Sequence, residues 1–271
     1  MLKDITIGQH FPGDSPVHNF DPRLKILVVV AYVVVLFMST NFPGLIMCGV
    51  AVLSMYVLAG IPLKMLRKSI KPILPLIFFT VILNLFFIRD GRPMFRIFGI
   101  GIYKSGILFC IVMVCRILFL ICGTSLLTYT TSPIVLTDGL ERIMKPLNII
   151  HFPVHEMAMI MTIAMRFIPV LIEETDKIMS AQKSRGAMLD SGSFSDRIKA
   201  MVPILVPLFI SAFRRALELA TAMECRCYKG GEGRTRLKQL KMTGSDIMSL
   251  AVCVVVFAAI LSMRKFFVAV I

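Results

Sequence analysis

A run of 38 consecutive residues without a charged side chain, between Lys25 and Lys64, most constrains how this chain can fold. As one α-helix at about 1.5 Å per residue, the run would be far longer than the ~30 Å hydrocarbon core of a bilayer. Asn41-Phe42-Pro43-Gly44 interrupts the run near its middle and favours a turn. We therefore predict two membrane-spanning helices, near residues 26–40 and 45–61, that form a hairpin.

Three further apolar stretches predict additional spans, near residues 72–88, 105–129 and 247–263. The chain has no Trp, so an aromatic belt at the membrane interface must be built from Tyr, and Tyr103 and Tyr129 lie at the ends of the fourth span. The expected fold is an all-α, polytopic membrane protein with about five transmembrane helices.

The composition supports insertion into a membrane, because 57% of the residues are hydrophobic and only 17% are charged. An apolar share this high excludes a disordered chain and argues against a soluble globule. The seven cysteines lie mostly in apolar runs, so no disulfide framework is expected. Lys3, Asp4 and Asp14 occupy the first residues without an apolar run, so we expect no cleavable signal peptide.

The basic residues predict the orientation of the spans. Arg23 and Lys25 precede the first span, and four basic residues fill the loop after the second. By the positive-inside rule, this pattern predicts a cytoplasmic N-terminus. The basic loop between Arg89 and Lys104 then falls outside, which counts against the orientation.

Residues 130–246 hold 28 of the 46 charged side chains and predict a cytosolic domain. The uncharged runs 157–165 and 200–213 within them are too short to span a bilayer comfortably. Pro203 and Pro207 should kink or delimit the helix that begins near Lys199. We predict four regions: a cytosolic N-terminal segment (1–25), a four-helix transmembrane region (26–129), a cytosolic domain of long helices (130–246) and a C-terminal transmembrane helix (247–271).

Motifs for catalysis or metal binding are weak. The sequence has neither a GxxxxGK[ST] phosphate loop nor an HExxH motif. His151 and His155 have the i, i+4 spacing of a metal pair on a helix, but Pro153 between them favours a helix start instead. Cys225 and Cys227 have a C-x-C spacing with no second pair downstream, so we expect no zinc site.

Arg116 is the one charge inside the five predicted spans. A charge in hydrocarbon is costly and normally faces protein or water. Arg116 therefore either pairs with helix-end carbonyls or a carboxylate, as a structural residue, or lines a transport path.

Two segments of the charged region resemble each other. Residues 180–187 and 220–228 each predict a helix with small side chains that ends at an arginine, Arg185 or Arg226. Glycines follow, as expected at helix ends. Each guanidinium either complements the C-terminal helix dipole or offers a donor fork to a partner carboxylate. The repetition favours a paired docking surface.

At these residues the chain resembles the transmembrane T component of energy-coupling factor (ECF) transporters, whose paired signature is usually Ala-Arg-Gly. Further matches extend over most of the chain: Gly8-Gln9 through Ser15, Phe20 through Lys25, Thr130-Thr131-Ser132-Pro133, Lys145-Pro146-Leu147 and Arg166-Phe167-Ile168-Pro169.

The resemblance implies a non-catalytic subunit in a bacterial or archaeal cell membrane. Its implied partners are two cytosolic ATPases, which bind the ATP, and a membrane-embedded S component that captures a vitamin or a metal ion. The resemblance implies no cofactor and no metal held by this chain. The implied ATPase-docking residues are Ser184, Arg185, Gly186, Cys225, Arg226 and Cys227. The structural or coupling candidates are Asp21, Pro22, Arg23, Arg116, Pro133, Pro146, Arg166 and Pro169.

This sequence departs from the signature at Ser184, Cys225 and Cys227. The loss of the second glycine matters most, because Cys227 would be strained at a position that needs a positive φ. The opening residues 8–15 look closer to T components shared among several vitamin-binding S components than to dedicated cobalt or nickel systems, which remain the alternative.

Two other classes of protein compete with this interpretation. A secondary transporter would need ionisable residues along a substrate path, and a membrane enzyme would need a nucleophile with a base, or a metal set.

The net charge of the chain is +14. Residues 130–246 contribute +4 of it, from 16 basic and 12 acidic residues, and the remaining +10 lies chiefly in loops and flanks. The positive charge therefore indicates contact with anionic lipid headgroups and not binding of nucleic acid.

Overall fold

The structure is a computed structural model that describes residues 10–39, 41–88, 93–97, 100–187, 194–230 and 242–266. In chain order the elements are α1 (Pro16–Asn19), α2 (Pro22–Met38), α3 (Phe42–Ala59), α4 (Leu63–Ile70), a 3₁₀ turn (Lys71–Ile73), α5 (Leu74–Phe87), β1 (Pro93–Ile97), β2 (Ile100–Tyr103), α6 (Lys104–Thr130), α7 (Pro133–Met144), a second 3₁₀ turn (Lys145–Ile150), α8 (Val154–Ser184), α9 (Phe194–Cys225) and α10 (Gly244–Phe266). The all-α, polytopic prediction is confirmed.

The chain divides into two compact units. The bundle unit comprises residues 8–142 and 239–271, and the long-helix unit comprises residues 1–7 and 143–238. The bundle unit contains elements that the sequence did not predict, among them the short helices α1 and α4 and an antiparallel β-hairpin in which Phe95 pairs with Ile102.

The five predicted spans correspond to α2, α3, α5, α6 and α10. The number of spans differs from the prediction, since six helices in the described residues are long and apolar enough to cross a membrane. They are Phe42–Ala59, Lys64–Phe87, Lys104–Thr130, Val154–Ser184, Ile198–Cys225 and Gly244–Met263. The 17-residue helix α2 is not among them.

The uncharged runs 157–165 and 200–213 lie within α8 and α9, which are long and apolar enough to cross a membrane. Those runs belong to helices of 31 and 32 residues, because charged side chains at both ends continue the helix beyond the apolar centre. The assignment of this region to the cytosol stays a prediction.

Pro203 and Pro207 do not delimit α9, so of the two outcomes predicted from the sequence, a kink or a helix end, only the kink stays a prediction. The helix begins at Phe194 and continues through Pro203 and Pro207 to Cys225. Each proline removes one backbone hydrogen bond, but full turns on both sides keep theirs. Ile204, between the two prolines, is buried at 8% exposure.

Buried tyrosines join the helices of the bundle unit. The hydroxyl groups of Tyr32 in α2 and Tyr56 in α3 each donate to a backbone carbonyl of α6, over 3.0 Å. Tyr129, expected in an interfacial belt, is 2% exposed and donates to the carbonyl of Met65 in α4 over 3.1 Å. The prediction that Tyr129 belongs to an aromatic belt at the membrane interface is therefore wrong. Its phenol is buried and needs a protein acceptor, which α4 supplies.

Large apolar side chains cover the outside of the bundle unit. In α5 only Ile77 is buried, while Phe78 and Phe87 are 68% and 79% exposed. A soluble monomer rarely exposes so large a contiguous apolar surface. These side chains are suited to contact lipid chains.

Close packing of α2 against α6 depends on Gly123. A methyl group there would overlap the ring of Tyr32, which is itself buried. We expect Gly123→Ala to destabilise the protein by about 1–3 kcal/mol, since overpacking forces neighbours off their rotamers. Thermal unfolding in detergent measures the change. The control is Gly244→Ala, where the added methyl group meets nothing within 4 Å, and an equal loss in both variants would contradict the prediction.

Candidate functional site

The end of α8 places Arg185 in a fully hydrogen-bonded helix cap. Arg185 is the C-cap residue, and Gly186 follows with a left-handed φ of +86°. The amide of Gly186 donates to the carbonyl of Lys183, and the amide of Ala187 donates to that of Gln182, both over 3.0 Å. This pair of bonds defines a Schellman motif.

The end of α9 repeats the same motif around Arg226. The amide of Cys227 donates to the carbonyl of Glu224 over 2.8 Å, and the amide of Tyr228 donates to that of Met223 over 3.1 Å. Cys227 takes the left-handed position with φ +55°, where the first cap has glycine. The two arginines therefore occupy equivalent positions of two equivalent caps.

Both cap arginines are exposed, together with their flanking residues Ser184, Gly186, Cys225 and Cys227. Each guanidinium follows the last helical residue, where the helix dipole favours a positive charge. A planar guanidinium with five donors suits bidentate binding of a carboxylate. The caps fix the backbone of each arginine and leave its side chain available at the protein surface.

The left-handed cap positions predict a difference between two matched substitutions. Gly186→Ala should strain its cap by about 1 kcal/mol and speed hydrogen exchange of the Ala187 amide about fivefold. Cys227→Gly should slow exchange of the Tyr228 amide, by a smaller factor because glycine also gains freedom in the unfolded chain. Exchange measured by mass spectrometry tests both, and unchanged rates would show that these φ angles cost nothing.

An ion pair joins the two long helices. Arg215 Nη2 in α9 donates to Glu174 Oε2 in α8 over 2.9 Å. Both side chains are partly exposed, at 39% and 22%, so solvent screens the pair and its contribution to stability is small. Its main effect is to favour one register of α8 against α9, the helices that carry the cap arginines.

In the bundle unit, Lys25 forms the centre of a buried polar cluster that sequence reasoning missed. Its ammonium group donates to the carbonyls of His18 (2.8 Å) and Thr130 (3.1 Å) and to Thr131 Oγ1 (3.2 Å). Lys25 is 6% exposed, and these three acceptors match its three protons. The lysine thus fastens the N-terminal segment and the start of α2 to the end of α6.

Two buried carboxylates complete this Lys25 cluster. Asp21 caps α2 by accepting from the amide of Arg23 over 2.9 Å. Asp246 Oδ1 accepts from the amide of Asp21 over 3.1 Å, and its Oδ2 accepts from the amide of Thr243 over 2.8 Å. Both carboxylates are 5% exposed and supply negative charge near the ammonium group of Lys25. Asp246 thereby ties α10 to the start of α2.

His18 orders the segment that precedes α2. Its ring nitrogens lie 3.0 Å from the carbonyl of Phe11 and 2.7 Å from Ser15 Oγ. Burial lowers the pKa of His18 below its ordinary value of 6.5, although the bond to Phe11 opposes this shift. The amide of Phe11 in turn donates to the carbonyl of Tyr129 over 2.9 Å, which fixes the segment on α6.

The structure brings together some of the other sequence candidates. Pro22 and Arg23 pack against Gly139 of α7, where an added methyl group would lie 3.2 Å from Pro22 Cβ. Pro133 begins α7 two residues after Thr131, which contacts Lys25. These residues therefore surround the Lys25 cluster.

The remaining candidates lie elsewhere. Pro146 is in the second 3₁₀ turn, while Arg166 and Pro169 are exposed residues of α8. Arg116, inside α6, donates through Nη2 to the carbonyl of Ser39 over 2.9 Å. Ser39 is the C-cap residue of α2, so this contact supports the structural alternative, in which Arg116 binds a helix-end carbonyl.

The residues weighed as metal ligands do not share a helix. His151 follows the second 3₁₀ turn with φ +58°, and His155 lies in the first turn of α8 after Pro153. Within the described residues, the structure brings together no group of three or more His, Cys, Asp or Glu side chains that could hold a metal.

Comparison with known proteins gives the family of the chain. The model of the CbiQ family, described as cobalt transport protein, matches residues 13–237. The energy-coupling factor transporter transmembrane protein EcfT of Clostridium kluyveri is 51% identical over 97% of this chain and 98% of its own length. The EcfT protein of Bacillus subtilis is 43% identical over 96% and 98%. The chain belongs to the CbiQ/EcfT family.

Membership in the CbiQ/EcfT family makes the chain a transmembrane energy-coupling component of ECF transporters. Similarity over nearly the full length of both chains covers the two arginine caps and the Lys25 cluster alike. In the CbiQ/EcfT fold seen here, these features belong to the long-helix unit and the bundle unit respectively.

Proposed function

We propose that the chain transmits ATP-driven motion from two cytosolic ATPase subunits to a membrane-embedded S component, and that the assembled transporter imports vitamins. The observation that carries the proposal is the repeated helix cap: Arg185 and Arg226 are both exposed and occupy the same cap position. Two equivalent arginine caps in one chain suit two ATPase subunits of similar surface.

The caps account for how motion passes from the ATPases to the membrane. Each arginine docks in a groove of one ATPase and forms a bidentate pair with a carboxylate there. Because the cap hydrogen bonds fix each arginine to a long helix, movement of the groove on ATP binding displaces the whole helix. The Glu174–Arg215 pair makes α8 and α9 respond together, and the S component then tips in the membrane and releases its substrate inside.

A dedicated cobalt or nickel transporter is the alternative, and the description of the CbiQ family supports it. We favour vitamin uptake because residues 8–15 resemble shared T components. The relatives that match nearly the whole chain are named for energy coupling, without a metal. Specificity would lie in the S component in either case.

Affinity purification of the full chain from mild detergent, followed by mass spectrometry, tests the proposal. We expect two ATPase subunits and at least one small membrane protein to co-purify. Several different S components would support a shared vitamin module, and a single one that retains cobalt or nickel would support the alternative. Recovery of the chain alone would contradict the proposal.

A further inference from the structure

The loop between α3 and α5 carries a cationic surface that the proposed function does not use. Lys64, Arg67, Lys68 and Lys71 are all exposed and line one concavity of about 720 Å³, together with Ile70 and Leu74. The sequence has no Asp or Glu between Asp21 and Asp90, so this surface has no acidic neighbour along the chain. We call these four side chains the α4 basic cluster.

The helix that carries most of this cluster is firmly held. Met65, Leu66 and Ile70 of α4 pack against the buried core of the bundle unit. Ser69 hydrogen-bonds to the hydroxyl group of Tyr129, which also donates to the carbonyl of Met65. The basic side chains on the other side of α4 are therefore presented from a fixed backbone.

An apolar surface begins directly after the cluster. Helix α5 starts at Leu74, which is 53% exposed, and continues with exposed Leu76 and Phe78 at 58% and 68%. Positive charge at the end of an exposed apolar helix is the arrangement expected at the headgroup level of a bilayer.

We propose that the α4 basic cluster binds the phosphate group of an anionic phospholipid, whose acyl chains lie along the exposed side of α5. The four cations complement the headgroup charge, and α5 supplies the apolar contact that a free phosphate ion or an acidic peptide would not use. This site is independent of the ATPase-docking caps, so either proposal can fail without the other.

Native mass spectrometry of the full chain tests the proposal, with phosphatidylglycerol and phosphatidylcholine of the same acyl chains as probes. We expect phosphatidylglycerol to bind more tightly. In Arg67→Gln with Lys68→Gln, its affinity should fall roughly fivefold per neutralised charge, or roughly 25-fold in total. Phosphatidylcholine binding should be unchanged. Equal binding of both lipids by the wild-type chain would overturn the proposal.

Lys104→Gln with Lys177→Gln is the matched control, since both lysines are exposed and lie outside the cluster. It removes the same charge and should leave phosphatidylglycerol binding unchanged. A loss of affinity equal to that of the cluster variant would show that the lipid is attracted non-specifically, which would overturn the proposal. Exposed substitutions of this kind rarely alter folding. Inorganic phosphate should not displace the lipid, and displacement by it would identify a small-anion site instead.

Discussion

Arg185→Glu combined with Arg226→Glu should abolish co-purification of the ATPase subunits and substrate uptake. Each substitution removes a charge-assisted pair and places a negative charge against the partner carboxylate. Loss of such a pair costs about 2–5 kcal/mol of binding free energy, so reversal at both caps should weaken assembly by at least about a thousandfold. Pull-down of the full complex measures the assembly, and uptake in cells measures the function.

Conservative variants separate the geometry of the guanidinium from its charge. Arg185→Lys with Arg226→Lys keeps both charges but loses bidentate bonding, so we expect weakened but detectable assembly. Lys199→Glu, at an exposed position of α9 well before Arg226, is the matched charge-reversal control and should assemble normally. Intact assembly of the double glutamate variant would refute docking through the caps.

Lys25→Met should cause a large loss of stability in the bundle unit. The substitution keeps an unbranched side chain, shorter by the ammonium nitrogen, and leaves three oxygen acceptors, in His18, Thr130 and Thr131, without their donor. It also leaves the carboxylates of Asp21 and Asp246 without the nearby ammonium group. Breaking a buried charged network in this way costs about 3–5 kcal/mol. Thermal unfolding in detergent should show a fall of the unfolding midpoint by roughly 6–20 °C, by the scaling for chains of similar size.

Asp246→Ala tests the same cluster from the other side. It leaves the amides of Asp21 and Thr243 without an acceptor, so the midpoint temperature of unfolding should also fall. Asp246→Asn keeps one oxygen acceptor, so its unfolding midpoint should fall less. Lys104→Met, at an exposed position, serves as the control and should unfold near the wild-type temperature. A Lys25→Met protein as stable as this control would show that the cluster contributes no net stability.

The apolar runs and the predicted break near residues 41–44 were sufficient to predict the helical fold, because a bilayer admits helices of a narrow range of lengths. The break itself lies before Phe42, since residues 42–44 belong to α3. Helices α2 and α3 begin earlier than the predicted spans, at Pro22 and Phe42, and each has a proline in its first turn, where a missing amide is tolerated. The uncharged runs did not locate the ends of α8 and α9, whose 31 and 32 residues include charged side chains on both sides of each run. Charged side chains are compatible with helix continuation, so only the backbone hydrogen bonds reveal the true ends.

Neighbour relations among the helices could not be predicted from the sequence. Helices such as α2, α3 and α6 are apolar nearly all round, so no polar face marks which side meets another helix. Tyr129 was therefore assigned to the membrane interface, although it is buried against α4. Lys25 was assigned to the orientation of the spans and to a family motif, with no structural role, although it binds residues 105 and 106 positions away.

The sequence by itself determined the helical membrane fold, the position of the two arginine motifs and the resemblance to one transporter family, since these depend on local patterns. The tertiary structure decided that Asp246 meets Asp21 across 225 residues and that Cys227 adopts the same left-handed geometry as a cap glycine. The contact of Asp246 with Asp21 depends on how the helices pack, and composition and spacing do not encode that packing. The geometry of Cys227 depends on local bonds at the end of α9, from the amide of Cys227 to Glu224 and from that of Tyr228 to Met223.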